Sequence, residues 1–217
     1  MFSLATSTGL PTESVRPHGR ARRPGKLDAR SFARSALEVA PRLVGATLLV
    51  DEVGGVIVEV EAYGSDDPAS HGYRGQTPSN RSMFGPPGHA YVYRSYGVHW
   101  CLNAVCGEDG VPEAVLIRAI EPVWGVDAMV QRRGRDDARL LCAGPGRVCQ
   151  ALAVEGAHDG LPLDRKPFEL HEREGPVEIV AGPRIGLTRA EDRPWRFTLA
   201  GSRFLSRPTP GAVTRQA

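Results

Sequence analysis

Residues 59–103 read EVEAYGSDDPASHGYRGQTPSNRSMFGPPGHAYVYRSYGVHWCLN. Three patterns follow one another in this stretch. The first residues end an apolar, β-branched run: ATLLVDEVGGVIVEVEAYG (46–64) predicts two strands joined by a turn at Glu52–Gly55. Alternation on the second strand places Val56, Val58 and Val60 on one face and Ile57, Glu59, Glu61 and Tyr63 on the other. Residues 64–90 are then rich in turn formers, in SDDPASHG, GQTPSN and GPPG. A loop of that length inside a domain is often functional. Finally, HAYVYRSYGVHWCLNAVC predicts a hairpin with its tip near Arg94–Gly97.

Working outward, SFARSALEVA predicts a helix, with Phe32, Ala36 and Leu37 at helical spacing and Ser31 as N-cap. Pro41 is expected to interrupt it, with a short helical turn running on to about Gly45. EAVLIRAI reads as a buried strand, a helix follows near 124–133, and GPGRVCQALAV feeds a short apolar helix from turn residues. FELHE, VEIVA and WRFTLA add strands between Gly/Pro turns. Strand signals persist to about residue 205 and no repeat or second-domain boundary is visible, so a single mixed α and β domain over 27–207 is expected. Residues 1–26 carry Arg16, Arg20, Arg22, Arg23 and Lys26 against the single acid Glu13, and read as a disordered basic arm. Residues 208–217 read as a C-terminal tail.

The chain has 217 residues, enough to bury a sizeable core. No apolar run approaches the roughly 18 residues that span a bilayer, and the N-terminus lacks the apolar core of a secretory signal. A soluble, cytoplasmic protein is the expectation. Only Lys26 and Lys166 are lysines among the 27 basic residues, which leaves few candidates for Schiff-base chemistry. Cys101, Cys106, Cys142 and Cys149 fit no CxxC metal spacing and sit among apolar neighbours, so buried reduced thiols are expected. HExxH, GxSxG and a phosphate-binding glycine loop are absent from the sequence.

Within the opening stretch, Glu61 ends an apolar strand beside the long loop, where desolvation would raise the basicity of a carboxylate. On spacing alone, a solvent-facing strand glutamate is the better reading, since strand glutamates are common. Tyr63 shares its face, and His71 is delivered by the DDPASH turn. Asp66 and Asp67 offer a partner carboxylate for glycoside hydrolysis, but their DDPAS context favours turn capping. Tyr91, Tyr93 and Tyr96 cluster in the hairpin; a large aromatic at the tip, as at Tyr96, suggests a partner into which it wedges.

The blocks VEVEAYGSDDPASH, RGQTPSNRSMFGPPGHAYVYRSYGVHWCLN, IRAIEP, GPGRVCQALAV and GPRIGL resemble those of the alkyladenine (3-methyladenine) DNA glycosylases of the mammalian monofunctional type, over about residues 30–205. The resemblance implies an α+β domain with a curved, mainly antiparallel sheet flanked by helices and a protruding β-hairpin. It implies hydrolysis of the N-glycosidic bond of alkylated purines in duplex DNA after base flipping, which starts base excision repair. Glu61 matches the catalytic glutamate and Arg118 a residue that organises it beside the water. Tyr63, His71 and Tyr93 match the residues around the flipped base, and Asn103 the pocket floor. Tyr96 matches the intercalating residue, and Arg147 is a weaker match for a phosphate contact. The family resemblance implies a monomer acting on DNA without metal or organic cofactor. A non-catalytic damaged-DNA binder on the same fold is the alternative.

Overall fold

The computed structural model describes residues 24–208. The expected basic arm lies outside the described residues up to Arg23, as does the expected tail from 209 onward. Pro24 to Leu27 already run along a strand: Leu27 N donates to Leu170 O at 2.9 Å and His171 Nδ1 lies 3.1 Å from Pro24 O.

Two helices, α1 (Ala29–Phe32) and α2 (Ala36–Leu43), precede a hairpin of β1 (Thr47–Val50) and β2 (Val53–Tyr63). After a long connection come β3 (Ala90–Ser95), β4 (His99–Cys106) and β5 (Glu113–Trp124). Helices α3 (Val126–Arg133), α4 (Ala138–Leu141) and α5 (Pro145–Leu152) follow, then β6 (Phe168–His171), β7 (Ile179–Gly182) and β8 (Arg196–Leu199). Two 3-10 turns lie at Arg81–Phe84 and Gly156–His158. The eight strands form one antiparallel sheet in the order β3-β4-β5-β2-β1-β6. β8 pairs with β2 at Glu59–Glu61, and β7 pairs with β8. One edge of the long β2 is thus covered first by β1 and then by β8, while β5 runs along the other. The chain is a single α+β domain with a curled antiparallel sheet, as expected.

The predicted first helix is in fact two. Asp28, not Ser31, caps α1, its carboxylate accepting from Ser31 N at 3.1 Å. Ser35 precedes α2, and its N–H donates to the Glu38 carboxylate at 3.3 Å. Ala36, Val39, Ala40 and Leu43 form the buried stripe of α2, whereas Leu37 points outward. Pro41 does not end the helix, because it and Leu37, whose carbonyl loses its partner, lie toward solvent.

The turn between β1 and β2 is tighter than expected: Val50 pairs with Val53, and the two linking residues, Asp51 and Glu52, have φ of 47° and 69°. Positive φ at both positions is the type I′ hairpin signature. Gly54 and Gly55 therefore belong to the strand, where neighbouring backbones come close. A Cβ at Gly54 would lie 1.9 Å from Leu48 O, and one at Gly55 1.8 Å from Glu121 O. Gly54→Ala is accordingly expected to destabilise the fold by about 3 kcal/mol or more, the upper end for overpacking, read from thermal or denaturant unfolding.

Strict alternation also fails along β2. The pairing with β5 slips between Ile57 and Val60. Ile57 consequently joins Val60 and Ala62 in the main core, while Val58 packs with Ala119 and Phe204 on the other side. Glu59, Glu61 and Tyr63 keep their common face, away from Ile57. The four cysteines are free and buried. Among the described residues no helix is long and apolar enough to cross a membrane.

Candidate active site

Glu61 lies near the C-terminal end of β2, between Leu116 of β5 and Arg196 of β8. It is fully buried, yet its carboxylate is well supplied with donors. Oε2 accepts from the Tyr63 hydroxyl at 2.9 Å and from Arg118 Nη1 at 3.1 Å. Oε1 accepts from the backbone N–H of Ile185 at 2.7 Å. A carboxylate oxygen offers two acceptor positions, and Oε1 has this one donor among the described residues.

Arg118, two residues along β5 from Leu116, is itself held from behind. Its Nε donates to Glu59 Oε1 at 3.0 Å, and the same oxygen accepts from Arg196 Nε at 2.8 Å and from the Ser206 hydroxyl at 2.7 Å. Ser206 N donates to Glu59 Oε2 at 2.6 Å. Burial of Glu59 opposes its charge, but the bonds from Arg196 and Ser206 and the charges of Arg118 and Arg196 prevail and hold its carboxyl below the usual range. Arg118 is likewise driven to stay charged: burial disfavours its charge, and the flanking Glu61 and Glu59 outweigh that.

Tyr63, Arg118 and Ile185, the three residues that bond the Glu61 carboxylate, line a cavity of about 480 Å³ together with, among others, His71, Tyr93, Tyr96 and Asn103, and Glu61 stands directly behind them. His71 Nδ1 lies 2.9 Å from the Tyr91 hydroxyl, and its ring meets the Tyr93 ring edge-on at 4.4 Å and 75°. Tyr91 stacks on Tyr93 at 5.4 Å. Burial lowers the His71 pKa, so the neutral ring prevails at neutral pH. Burial, reinforced by the Glu61 charge at Tyr63, pushes the phenols of Tyr63 and Tyr93 far up, and they remain neutral hydroxyls. Asn103 donates Nδ2–H to Tyr91 O at 2.9 Å, which fixes its amide plane where it lines the cavity.

The hairpin rim carries Tyr96. Ser95 pairs with His99, leaving Tyr96, Gly97 and Val98 as a three-residue loop. Tyr96 is 95 % exposed and has φ of 50°. A bulky aromatic in the left-handed region, bare to solvent, is a costly choice for the fold, and such outliers gather at functional sites.

Arg147 does not share this cavity. It sits on α5 and donates to Ala143 O at 3.2 Å. Its cleft, of about 580 Å³, adjoins the first through Tyr96 and Arg118 and also contains Arg133 and Arg207. Asp67 is no partner for Glu61: it is buried, bonded bidentately to Arg184, and Oδ1 also accepts from Ala69 N at 3.1 Å. Asp66 is exposed and faces Arg193 at 3.7 Å. The expected capping role thus holds for Asp67, and its pairing with Arg184 removes it as a second carboxylate for glycan chemistry.

Sequence reading missed the residues that hold the site. Glu59 stands on the expected face, where no pattern marks a task for it, and Tyr91, one of the hairpin cluster, bonds His71 and stacks on Tyr93. Arg184, Ile185, Arg196 and Ser206 lie more than 120 residues from Glu61, and only the GPRIGL block signalled two of them.

The chain matches the model of the methylpurine-DNA glycosylase family over residues 30–203. It is 64 % identical over 182 residues to a Rhodopseudomonas palustris (strain HaA2) protein provisionally named 3-methyladenine DNA glycosylase, covering 84 % of this chain and 90 % of that protein. A Nitrobacter winogradskyi protein with the same provisional name is 60 % identical over 177 residues, covering 82 % and 85 % of the two chains. An Agrobacterium fabrum counterpart is 56 % identical over 176 residues, covering 81 % and 90 %. With buried Glu61 and Arg118 set beside an aromatic cavity, and a family match spanning nearly the whole described chain, the protein belongs to the methylpurine-DNA glycosylase family and is a DNA glycosylase, a hydrolase of N-glycosyl bonds.

Proposed function

We propose that the protein removes 3-methyladenine and related alkylated purines from duplex DNA, after the damaged nucleotide has rotated out of the helix into the cavity. The observation that carries this reading is the buried Glu61 carboxylate, held by Arg118, Tyr63 and Ile185, three residues that themselves line a cavity with aromatic walls.

Glu61 acts as general base. A water donating to the open position of Oε1 gives its proton to the carboxylate as its oxygen bonds to the anomeric carbon. The bond from that carbon to the purine nitrogen breaks, and its electron pair leaves with the base. An alkylpurine that carries a positive charge in DNA departs neutral, so no acid is needed to protonate it. The fixed negative charge of Glu61 stabilises the oxocarbenium character of the sugar, and no lysine forms a covalent intermediate. Tyr63, His71 and Tyr93 enclose the base, and cation–π attraction favours its charged forms. Asn103 borders the floor, where an exocyclic group on the base would be tested for fit. Tyr96 fills the gap in the stack, and Arg147 meets a backbone phosphate. The enzyme works as a monomer in the cytoplasm.

The test is free-base release from duplex DNA containing 3-methyladenine: release with an intact abasic strand supports the reading, and binding without release would assign a damage-binding role instead. Tyr96→Ala is expected to slow release about tenfold or more through impaired flipping, since a stacked ring is worth about 1–3 kcal/mol. Its exposure makes the change in unfolding stability less than about 0.5 kcal/mol. Equal 2-aminopurine fluorescence changes for mutant and parent beside the lesion would remove the wedge role.

His71 gives a pH dependence. Its pKa lies below the ordinary value, so the ring charges only as pH falls under about 6.5. A charged ring would repel a cationic base. Half-saturation for a cationic lesion is therefore expected to be flat from about pH 8 to 6.5 and to weaken below, and His71→Gln to lose that weakening.

A further inference from the structure

Arg184 and Asp67 are buried, and sequence patterning assigned neither of them to the reaction. Arg184 lies in the connection from β7 to β8, and Asp67 in the loop after β2. Arg184 Nη2 donates to Asp67 Oδ1 at 3.0 Å, Nη1 donates to Asp67 Oδ2, and Nη1 also donates to Ala62 O at 3.0 Å. The guanidinium carbon stands 4.7 Å from the centre of the Tyr63 ring and 5.1 Å from that of Trp195. The next residue, Ile185, supplies the N–H that bonds Glu61 Oε1 at 2.7 Å. Ile185, Gly186 and Leu187 line the cavity together with Tyr63; Arg184 stands behind them.

A pair chosen for stability alone would not look like this. Buried ion pairs are commonly no better than apolar residues of the same shape, and Arg184 Nε is buried with no hydrogen-bond partner among the described residues. What the fork and its planar face achieve is geometric. One side chain locks together two loops that leave the sheet side by side, where Glu61 and Gly182 both pair with Arg196, backs the Tyr63 ring, and sets the peptide whose N–H aims the acting oxygen of Glu61. The geometry points to Arg184, anchored by Asp67, as a positioning residue for glycosidic-bond hydrolysis: it fixes the Ile185 N–H on Glu61 Oε1 and the Tyr63 ring at the cavity wall.

This rests on the proposed role of Glu61, so the test is a ratio of variant to parent on one lesion duplex. If the parent itself releases no base, the functional reading fails; if the ratio stays near one, only the positioning role fails. Two variants are used. Asp67→Leu/Arg184→Met replaces the pair by apolar groups of similar volume, a change that cores tolerate. Arg184→Lys keeps the charge but not the planar two-pronged contact. Misplacing a reacting group by about 1 Å can cost about 100-fold in rate. At a temperature where each variant is folded, the single-turnover rate is expected to fall about 10- to 100-fold in the double variant and by less in Arg184→Lys, while half-saturation moves less than about threefold. Rates within twofold of the parent, or failure of both variants to fold, would assign the pair to stability alone and overturn the proposal.

Discussion

Glu61→Gln is expected to lower the single-turnover rate of 3-methyladenine release by about 1,000-fold or more while the protein still binds a duplex carrying an abasic-site analogue. General-base catalysis supplies about 10²–10⁴ in rate, and loss of the fixed charge facing the oxocarbenium ion adds to it. The amide nearly matches the carboxylate in shape, so the cavity stays open. Its NH₂ cannot replace both oxygens without conflict, however. On the Oε1 side it meets the Ile185 N–H, and on the Oε2 side it meets the Arg118 guanidinium. A modest fall in unfolding temperature should accompany the lost rate. Release within tenfold of the parent would remove Glu61 from the reaction.

Arg118→Ala is expected to have the largest effect on stability. Arg118 is the cation between Glu59 and Glu61, both fully buried. Without it Glu59 keeps Arg196 and Ser206, but Glu61 keeps only the Tyr63 hydroxyl and the Ile185 N–H. Breaking a buried pair by removing one partner typically costs about 3–5 kcal/mol, a large part of the 5–15 kcal/mol that holds a domain together. For a domain of this size the melting temperature should fall by about 10 °C. Release should also be lost at temperatures where the variant is folded, since the Tyr63 hydroxyl alone then holds Oε2 and no cation faces it. Unchanged melting and unchanged release would contradict the network described here.

Much of this was legible from local pattern. Tyr63, His71 and Tyr93 stand in strand and turn patterns that are strong locally, and the hairpin that presents Tyr96 follows from alternation broken by a glycine; Asn103 was singled out by the family resemblance alone. The parts that were not legible have physical reasons. A slip in pairing breaks alternation, so Ile57 turned inward unannounced. Gly54 and Gly55 read as a turn because their real constraint, the approach of Leu48 and Glu121 carbonyls, is tertiary. Pro41 is tolerated in α2 because of where the helix faces solvent. Of the residues that make Glu61 usable, Ile185, Arg196 and Ser206 converge from β8 and the loops on either side of it. No spacing rule reports such a convergence, and Glu59, Arg196 and Ser206 appeared only once the sheet had closed on them.

The most direct test is the crystal structure of this protein bound to a duplex carrying a cationic pyrrolidine abasic-site analogue, a mimic of the oxocarbenium sugar. The analogue should be rotated out of the helix, with its ring nitrogen within about 3.5 Å of Glu61 Oε1, near-attack range, and the Tyr96 ring should stand in the vacated stack. An analogue left inside the helix, or everted with its sugar far from Glu61, would contradict the account.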